Sequence, residues 1–331
     1  MNEKQNSPAA GDKVWIGVDI GGTKTAVVLC SEPPAIIERV AFPTLPEHRP
    51  KQTLQLIQRA IHQYIDVHKI STGQIEAIGI SCGGPLDRRL GLIQSPPNLP
   101  TWNDVPIVEN LQREFGVVCR LENDANAGAL AELRFGAGKG VQHMIFLTMG
   151  TGLGAGVIMD RRLYHGASDM AGEIGHVRLT SAGPIGYNKV GSVEGWASGG
   201  GIAQAASRQV AAAIKNGDVT SLVAQFASNR ILTAKDVADA ARQGDELANQ
   251  IVLDTASRLG EALAILVDLL NPELIVIGGL GMRLGERLLA PARAVMEREA
   301  LPAAAKACRI VAAALGEQIG DIAAICVAMG A

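Results

Sequence analysis

Aromatic side chains are scarce in this chain. Five Phe, three Tyr and three Trp make up 3% of 331 residues. So few rings provide no stacking surface for bases. A net charge of −3, with no basic run, leaves no electrostatic footprint for nucleic acid. Cysteine is equally sparse. Cys30, Cys82, Cys119, Cys308 and Cys326 lie far apart with no Cys-x-x-Cys pair, so they are expected to be small buried hydrophobes rather than redox or metal groups. No uninterrupted apolar run is long enough to span a bilayer. Residues 1–10 are polar and lack the apolar core of a secretion signal, so the expected location is cytoplasmic, away from membranes. Glycine is plentiful: its 38 residues, with 47% apolar and 19% charged residues, describe a globular α/β protein.

After a tail over residues 1–12, expected to be disordered, the pattern is regular. Residues 14–20 read as a buried strand, Gly21-Gly22 as a turn, and 25–30 and 35–42 as strands closing a meander. Leu54, Ile57, Ile61 and Ile65 recur at helical spacing and place an amphipathic helix over 51–69. Residues 75–81 are strand-like and run into Cys82-Gly83-Gly84-Pro85. Asp104 is the expected cap of a helix reaching Phe115, and 117–122 is the next strand. The order then recurs: strand 144–149, turn 150–154, strand 155–160, and later a long helix 245–270, strand 273–277, Gly278-Gly279 and a helix 284–299. Two halves that each open strand–glycine turn–strand predict a duplicated α/β unit with a cleft between the copies, divided near Ala125. Residues 161–203 are irregular and glycine-rich, too long for an ordinary connection, and so point to a functional loop.

Three motifs carry chemistry. In Asp19-Ile20-Gly21-Gly22-Thr23-Lys24, paired glycines let backbone N–H groups approach an anion, Thr23 adds a hydroxyl donor, and Asp19 suits Mg²⁺ directly or through water. A plain tight hairpin is the competing reading. The P-loop spacing is absent. Thr148-Met149-Gly150-Thr151-Gly152-Leu153-Gly154 is followed by apolar Val157-Ile158-Met159, so a strand rather than a helix succeeds it. A dinucleotide fingerprint is thereby disfavoured, and a second phosphate hairpin or a structural glycine turn remains. Asn123-Asp124 ends a strand where an alanine-rich helix begins. Asp124 there is either a general base for an attacking hydroxyl or a helix cap, and spacing does not separate the two. Glu173 and His176, set between glycines, and Glu194 are candidate partners for sugar hydroxyls; a solvated loop charge is the bland alternative.

Taken together with Glu122-Asn123-Asp124-Ala125-Asn126-Ala127, Gly172-Glu173-Ile174-Gly175-His176 and Glu194-Gly195-Trp196-Ala197-Ser198-Gly199, these motifs resemble the ROK family of the actin-like ATPase superfamily. The resemblance runs from about Val14 to the C-terminus. It implies an actin-like (ribonuclease H-like) α/β fold: a small lobe of residues 13–124 with a C-terminal helix from about 317 to 331, and a large lobe of 125–316. A hexose and Mg-ATP would bind in the cleft. By position, Asp124 matches the family's catalytic base, while Gly84, Asn123, Glu173, His176 and Glu194 match its sugar contacts. Asp19, Gly21, Gly22, Thr23, Lys24, Thr148, Gly150, Thr151, Gly152, Gly278 and Gly279 fall on the nucleotide side. One departure stands out. Family members usually join that His to three cysteines in a structural zinc site; here the cysteine positions are Ile185, Tyr187 and Ser192, so no zinc is expected, and packing by Tyr187 and Ile185 should hold the loop instead.

The expected activity is ATP-dependent phosphorylation of a hexose, with glucose 6-phosphate the leading product, by a homodimer. Mannose, fructose, allose or an N-acetylhexosamine is the alternative substrate. A sugar-responsive regulator is a weaker alternative, because the first strand begins by about Val14 and leaves no room for a DNA-binding domain before it.

Overall fold

The computed structural model describes residues 8, 9, 11–44, 50–227 and 231–330; of the tail expected over 1–12, residues 1–7 and 10 lie outside them. The chain forms two compact units. One comprises Met1–Gly136, Gly166–Asp169 and Glu317–Ala331, the other Ala137–His165 and Met170–Gly316.

In the first unit, β1 (Val14–Ile20), β2 (Lys24–Glu32), β3 (Ala35–Pro43), β4 (Ile75–Cys82) and β5 (Cys119–Asn123) make one sheet in the order β3-β2-β1-β4-β5. The first three strands are an antiparallel meander, and β4 and β5 join in parallel. The two-residue period of a strand sorts β1 by face. Val14, Ile16, Val18 and Ile20 are buried in a core shared with Ile57, Ile61 and Tyr64 of α1 (Pro50–His68) and Ile107, Leu111 and Phe115 of α2 (Ile107–Phe115). The alternate residues Gly17 and Asp19 face the terminal helix Ile319–Met329.

That helix comes very close because both surfaces are small. A Cβ on Gly17 would lie 2.9 Å from Ala324 Cβ, and one on Gly79 would strike the backbone of Ala324 and Ala328. Its last carbonyls are tied by two arginines. The Arg120 guanidinium donates to Ala328 O at 2.6 Å, and Arg134 donates to Cys326 O at 3.1 Å and to Gly330 O. Arg134 lies on α3 (Asp124–Phe135), whose small residues Ala125, Ala127, Ala129 and Ala131 are buried; this helix packs on the terminal one and belongs to the first unit, so the chain leaves that unit after Gly136 rather than near Ala125.

The second unit repeats the plan. Strands β6 (Met144–Met149), β7 (Leu153–Met159), β8 (Arg162–Leu163), β9 (Leu274–Ile277) and β10 (Arg309–Ala312) stand in the order β8-β7-β6-β9-β10, with the first three antiparallel and the last two parallel. It has its own core, in which Ile145 and Leu147 join Leu259, Leu263 and Leu288. Residues 161–203 are not a plain loop. They hold a 3₁₀ turn at Ile174–His176, a small hairpin of Ile185–Gly186 with Lys189–Val190, the short helix α4 (Val193–Ala197) and the start of α5 (Gly199–Asn216).

Asp104 does not cap α2. Its backbone is left-handed (φ 47°), and the following Val105–Pro106 pairs with Leu92–Ile93, so the helix starts at Ile107 with Pro106 before it. The five cysteines are buried and free, and burial pushes the thiols of Cys30, Cys119 and Cys326 up to about 12. No helix among the described residues is long and apolar enough to cross a membrane.

Candidate functional site

Within the first unit, sheet register gathers most of the predicted residues at one end of the parallel strands. Ile20, Cys82 and Asn123 lie level in adjacent strands, each just before a turn or helix. Beyond Ile20, Gly21-Gly22-Thr23 turns the chain, closed by Gly21 N–H to Lys24 O at 3.0 Å, with Thr23 and Lys24 exposed. Beyond Cys82, Gly83 and Gly84 bend past the third strand end, where a Cβ on Gly84 would meet Asn123 Nδ2 at 3.4 Å.

Asn123, rather than Asp124, is the N-cap of α3; its Oδ1 accepts the Ala125 N–H at 2.9 Å. Asp124 is the first helical residue. Its Oδ1 shares that N–H at 2.8 Å, while its other oxygen lies toward Gly83, 3.9 Å from where a Cβ there would sit. The carboxylate reaches solvent yet is crowded by protein, and this desolvation raises its pKa against the pull of the Ala125 N–H.

Asp19, on the strand face beneath the terminal helix, is pushed up to about 7, first by burial and then by the charges of Asp124 and Asp321, with Lys24 and Arg39 acting in the opposite direction. Gly320 leaves the space for this carboxylate, since a Cβ there would fall on its Oδ2. A half-buried oxygen donor repelled by like charges is chemistry that a hard divalent cation relieves, so Asp19 fits Mg²⁺. Behind Asp124, Glu122 Oε1 accepts the Asn123 N–H and the Asn126 amide, both at 2.9 Å.

Within the second unit, Met149 pairs with Leu153 and encloses Gly150-Thr151-Gly152, with Gly150 N–H donating to Gly152 O at 3.0 Å. Thr148 is paired with Gly154 in the strands. Two further segments pin this turn. The amides of Gly199 and Gly200, opening α5, donate to Gly150 O at 2.7 Å and Thr151 O at 3.1 Å. Gly279, left-handed at φ 56°, lies against Met149 O where any Cβ would clash, while Gly278 N–H donates to Leu147 O at 2.8 Å.

Glu194, in the first turn of α4, accepts the Leu153 N–H at 3.1 Å and crowds Gly152. Gly175 packs between Leu153 O and the Glu194 side chain, which brings the Glu173–His176 turn beside Glu194. Glu173 and His176 are exposed.

The residues at the expected zinc positions do not fit that ion. Ile185 has no donor atom, Tyr187 is 60% exposed, and the buried Ser192 Oγ is committed to the Gly195 N–H at 3.1 Å. Nor do Ile185 and Tyr187 hold the loop by burying their side chains, since Ile185 is 50% exposed.

Sequence reasoning missed Asn98 and the glycines of α5. Asn98 fills the space a side chain on Gly22 would need and lies near Gly83, so it borders both turns. Its bracketing in Pro96-Pro97-Asn98-Leu99-Pro100 was the available signal: a polar side chain on a stiffened loop. Gly199 ends the Glu194 motif and Gly200-Gly201 follow it, but only the hydrogen bonds of Gly199 and Gly200 to the second turn reveal an anchor.

Residues 15–330 match the model of the ROK family. The chain is 34% identical over 313 residues to a glucokinase of Halalkalibacterium halodurans, covering 94% of this chain and 93% of that protein. It is 35% identical over 311 residues to a glucokinase of Thermotoga maritima, covering 93% and 95%. A crystal structure of a ROK family glucokinase from Streptomyces griseus with glucose and AMPPNP superposes with a TM-score of 0.78 at 31% identity, covering 96% of this chain and all of that one. The chain belongs to the ROK family and has its actin-like α/β fold.

Proposed function

We propose that this protein is an ATP-dependent hexose kinase, with glucose, phosphorylated at its 6-hydroxyl, as the principal substrate. The observation that carries this reading is Asp124. One of its oxygens is fixed by a helix N–H while the other is turned to the glycine turn before Pro85, and desolvation raises its pKa toward that of a useful base. As a sugar hydroxyl attacks the terminal phosphoryl group, Asp124 accepts its proton. Gly84, Asn98 and Asn123 are the hexose-binding residues proposed for the first unit, and Glu173, His176 and Glu194 are those proposed for the second.

Phosphoryl transfer needs positioning and charge stabilisation more than covalent help. The turn at Gly21-Gly22-Thr23-Lys24, exposed at Thr23 and Lys24, and the stretch Thr148 to Gly152, exposed at Gly150 and Thr151, would offer backbone amides to phosphate oxygens, with Gly278-Gly279 on the nucleoside side. Mg²⁺ held beside Asp19 would neutralise charge on the triphosphate. Glucokinase relatives at 34% and 35% identity, and the glucose–AMPPNP complex of a 31% identical one, support glucose and ATP. Mannose, fructose, allose and N-acetylhexosamines remain the competing substrates. A cytoplasmic homodimer without bound zinc completes the proposal.

Asp124→Ala tests it. Turnover with Mg-ATP should fall at least a thousandfold while glucose binding, measured by calorimetry, stays within about tenfold, because a base acts mainly in the transition state. Near-normal turnover would remove Asp124 from the mechanism.

A further inference from the structure

The segment that lacks metal ligands is fastened by a different device. The hairpin of Ile185–Gly186 with Lys189–Val190 turns through Tyr187 and Asn188, both left-handed at φ 39° and 61°. Asn accepts that conformation readily and Tyr does not, so Tyr187 is held there against its own preference. Its ring stands edge-on to the His176 imidazole, with centroids 6.1 Å apart. On the next strand, Lys189 Nζ donates to the His176 carbonyl at 2.8 Å. Gln204 of α5 clips the opposite strand at both ends of its amide, accepting the Ile185 N–H at 3.1 Å and donating to Ile185 O at 2.8 Å. Gly186 packs so tightly on Glu194 that no side chain fits between them. The hairpin is therefore anchored on α5 and touches both the turn that carries His176 and the helix that carries Glu194.

We infer that Lys189 is a positioning residue. Through the His176 carbonyl, with Tyr187 and Gln204 in support, it holds the Glu173–His176 turn where a bound metal would otherwise have held it. The inference rests on the reading that Glu173, His176 and Glu194 bind the hexose. An ammonium donating to a carbonyl is a charge-assisted bond. It replaces a tetrahedral ion that would have drawn on the imidazole itself, so here both ring nitrogens of His176 stay available to substrate.

The test compares wild type with Lys189→Met, which keeps the chain length and removes the donor, and with Lys189→Arg, which restores one. Steady-state kinetics are paired with hydrogen–deuterium exchange of peptides spanning residues 173–178, and wild type is also measured after chelator dialysis with Mg²⁺ restored. Lys189→Met should raise the hexose KM roughly five- to tenfold, the worth of one partly exposed charged hydrogen bond, with kcat and the ATP KM within about twofold. Exchange across 173–178 should quicken, Lys189→Arg should recover both readouts, and chelation should move neither. An unchanged hexose KM with unchanged exchange in Lys189→Met overturns the inference. So does a chelator that raises both in wild type. If wild type phosphorylates no hexose, it is the kinase reading that fails, and the exchange measurement still decides the clamp.

Discussion

Asp19→Asn should make the ligand-free first unit more stable in alkaline solution while abolishing most activity. The carboxyl titrates near 7 in the folded protein against an ordinary value of 3.8, chiefly because folding buries it. The sign follows from linkage. Below pH 4 the group is protonated whether the chain is folded or not, and stability is undiminished. As pH rises toward 7 the unfolded chain releases the proton freely and the folded chain does not, so stability falls until the folded group also ionises. A gap of about three pH units, at about 1.4 kcal/mol each, sets a ceiling of about 4 kcal/mol. Asp19 is partly open to solvent, so about 2 kcal/mol is the expected loss. Asparagine mimics the protonated acid and escapes that loss. The assay is native-state hydrogen exchange of peptides from residues 14–32, which reads the first unit alone, at pH 5 and pH 8 after correction for intrinsic rates. The variant should exceed wild type by about 2 kcal/mol at pH 8 and by clearly less at pH 5. Equal stability at pH 8, or a variant weaker there than wild type, would refute the assignment of Asp19 as a carboxylate kept at the expense of stability.

Gly79→Ala would drive a methyl into the backbone of the terminal helix, and its urea midpoint should fall by the equivalent of about 3 kcal/mol; a loss under about 1 kcal/mol would mean that the helix yields easily. Gly152→Ala places a Cβ 2.7 Å from Glu194 Oε2, so the carboxylate must shift. The hexose KM should then rise about tenfold without a comparable loss of thermal stability, and an unmoved KM would show that Glu194 does not depend on that turn.

Much of this was readable beforehand because the signals were local. Gly21-Gly22 and Gly150-Thr151-Gly152 sit between apolar runs and mark hairpins whatever surrounds them, and the strand–turn–strand recurrence announced two sheets that prove to share one strand order. The acid at Asp124 was found at a strand end, but only the structure shows that Asn123 takes the capping position beside it. What escaped depends on distance in sequence. Asn98 matters because it lies against Gly22, and Gly199 because Gly150 rests on it; neither relation leaves a trace in spacing. Asp104 has every local mark of a helix cap and is overruled by pairing of the next two residues with Leu92–Ile93. Packing by Ile185 and Tyr187 is the sequence's expectation for the loop over 183–191, yet the fastening runs through main-chain carbonyls, Gln204 and a lysine, which hydrophobicity does not register.

The terminal helix carries a consequence for biosynthesis. The sheet of the first unit is sealed by Ile319–Met329, with Arg120 and Arg134 gripping its far end, 208 and 192 residues after those arginines leave the ribosome. Every strand of the second unit is translated before that seal exists. The half that is synthesised first is thus the half that finishes last, and until then the glycine-lined face of β1 and β4 is a surface for chaperones to shield.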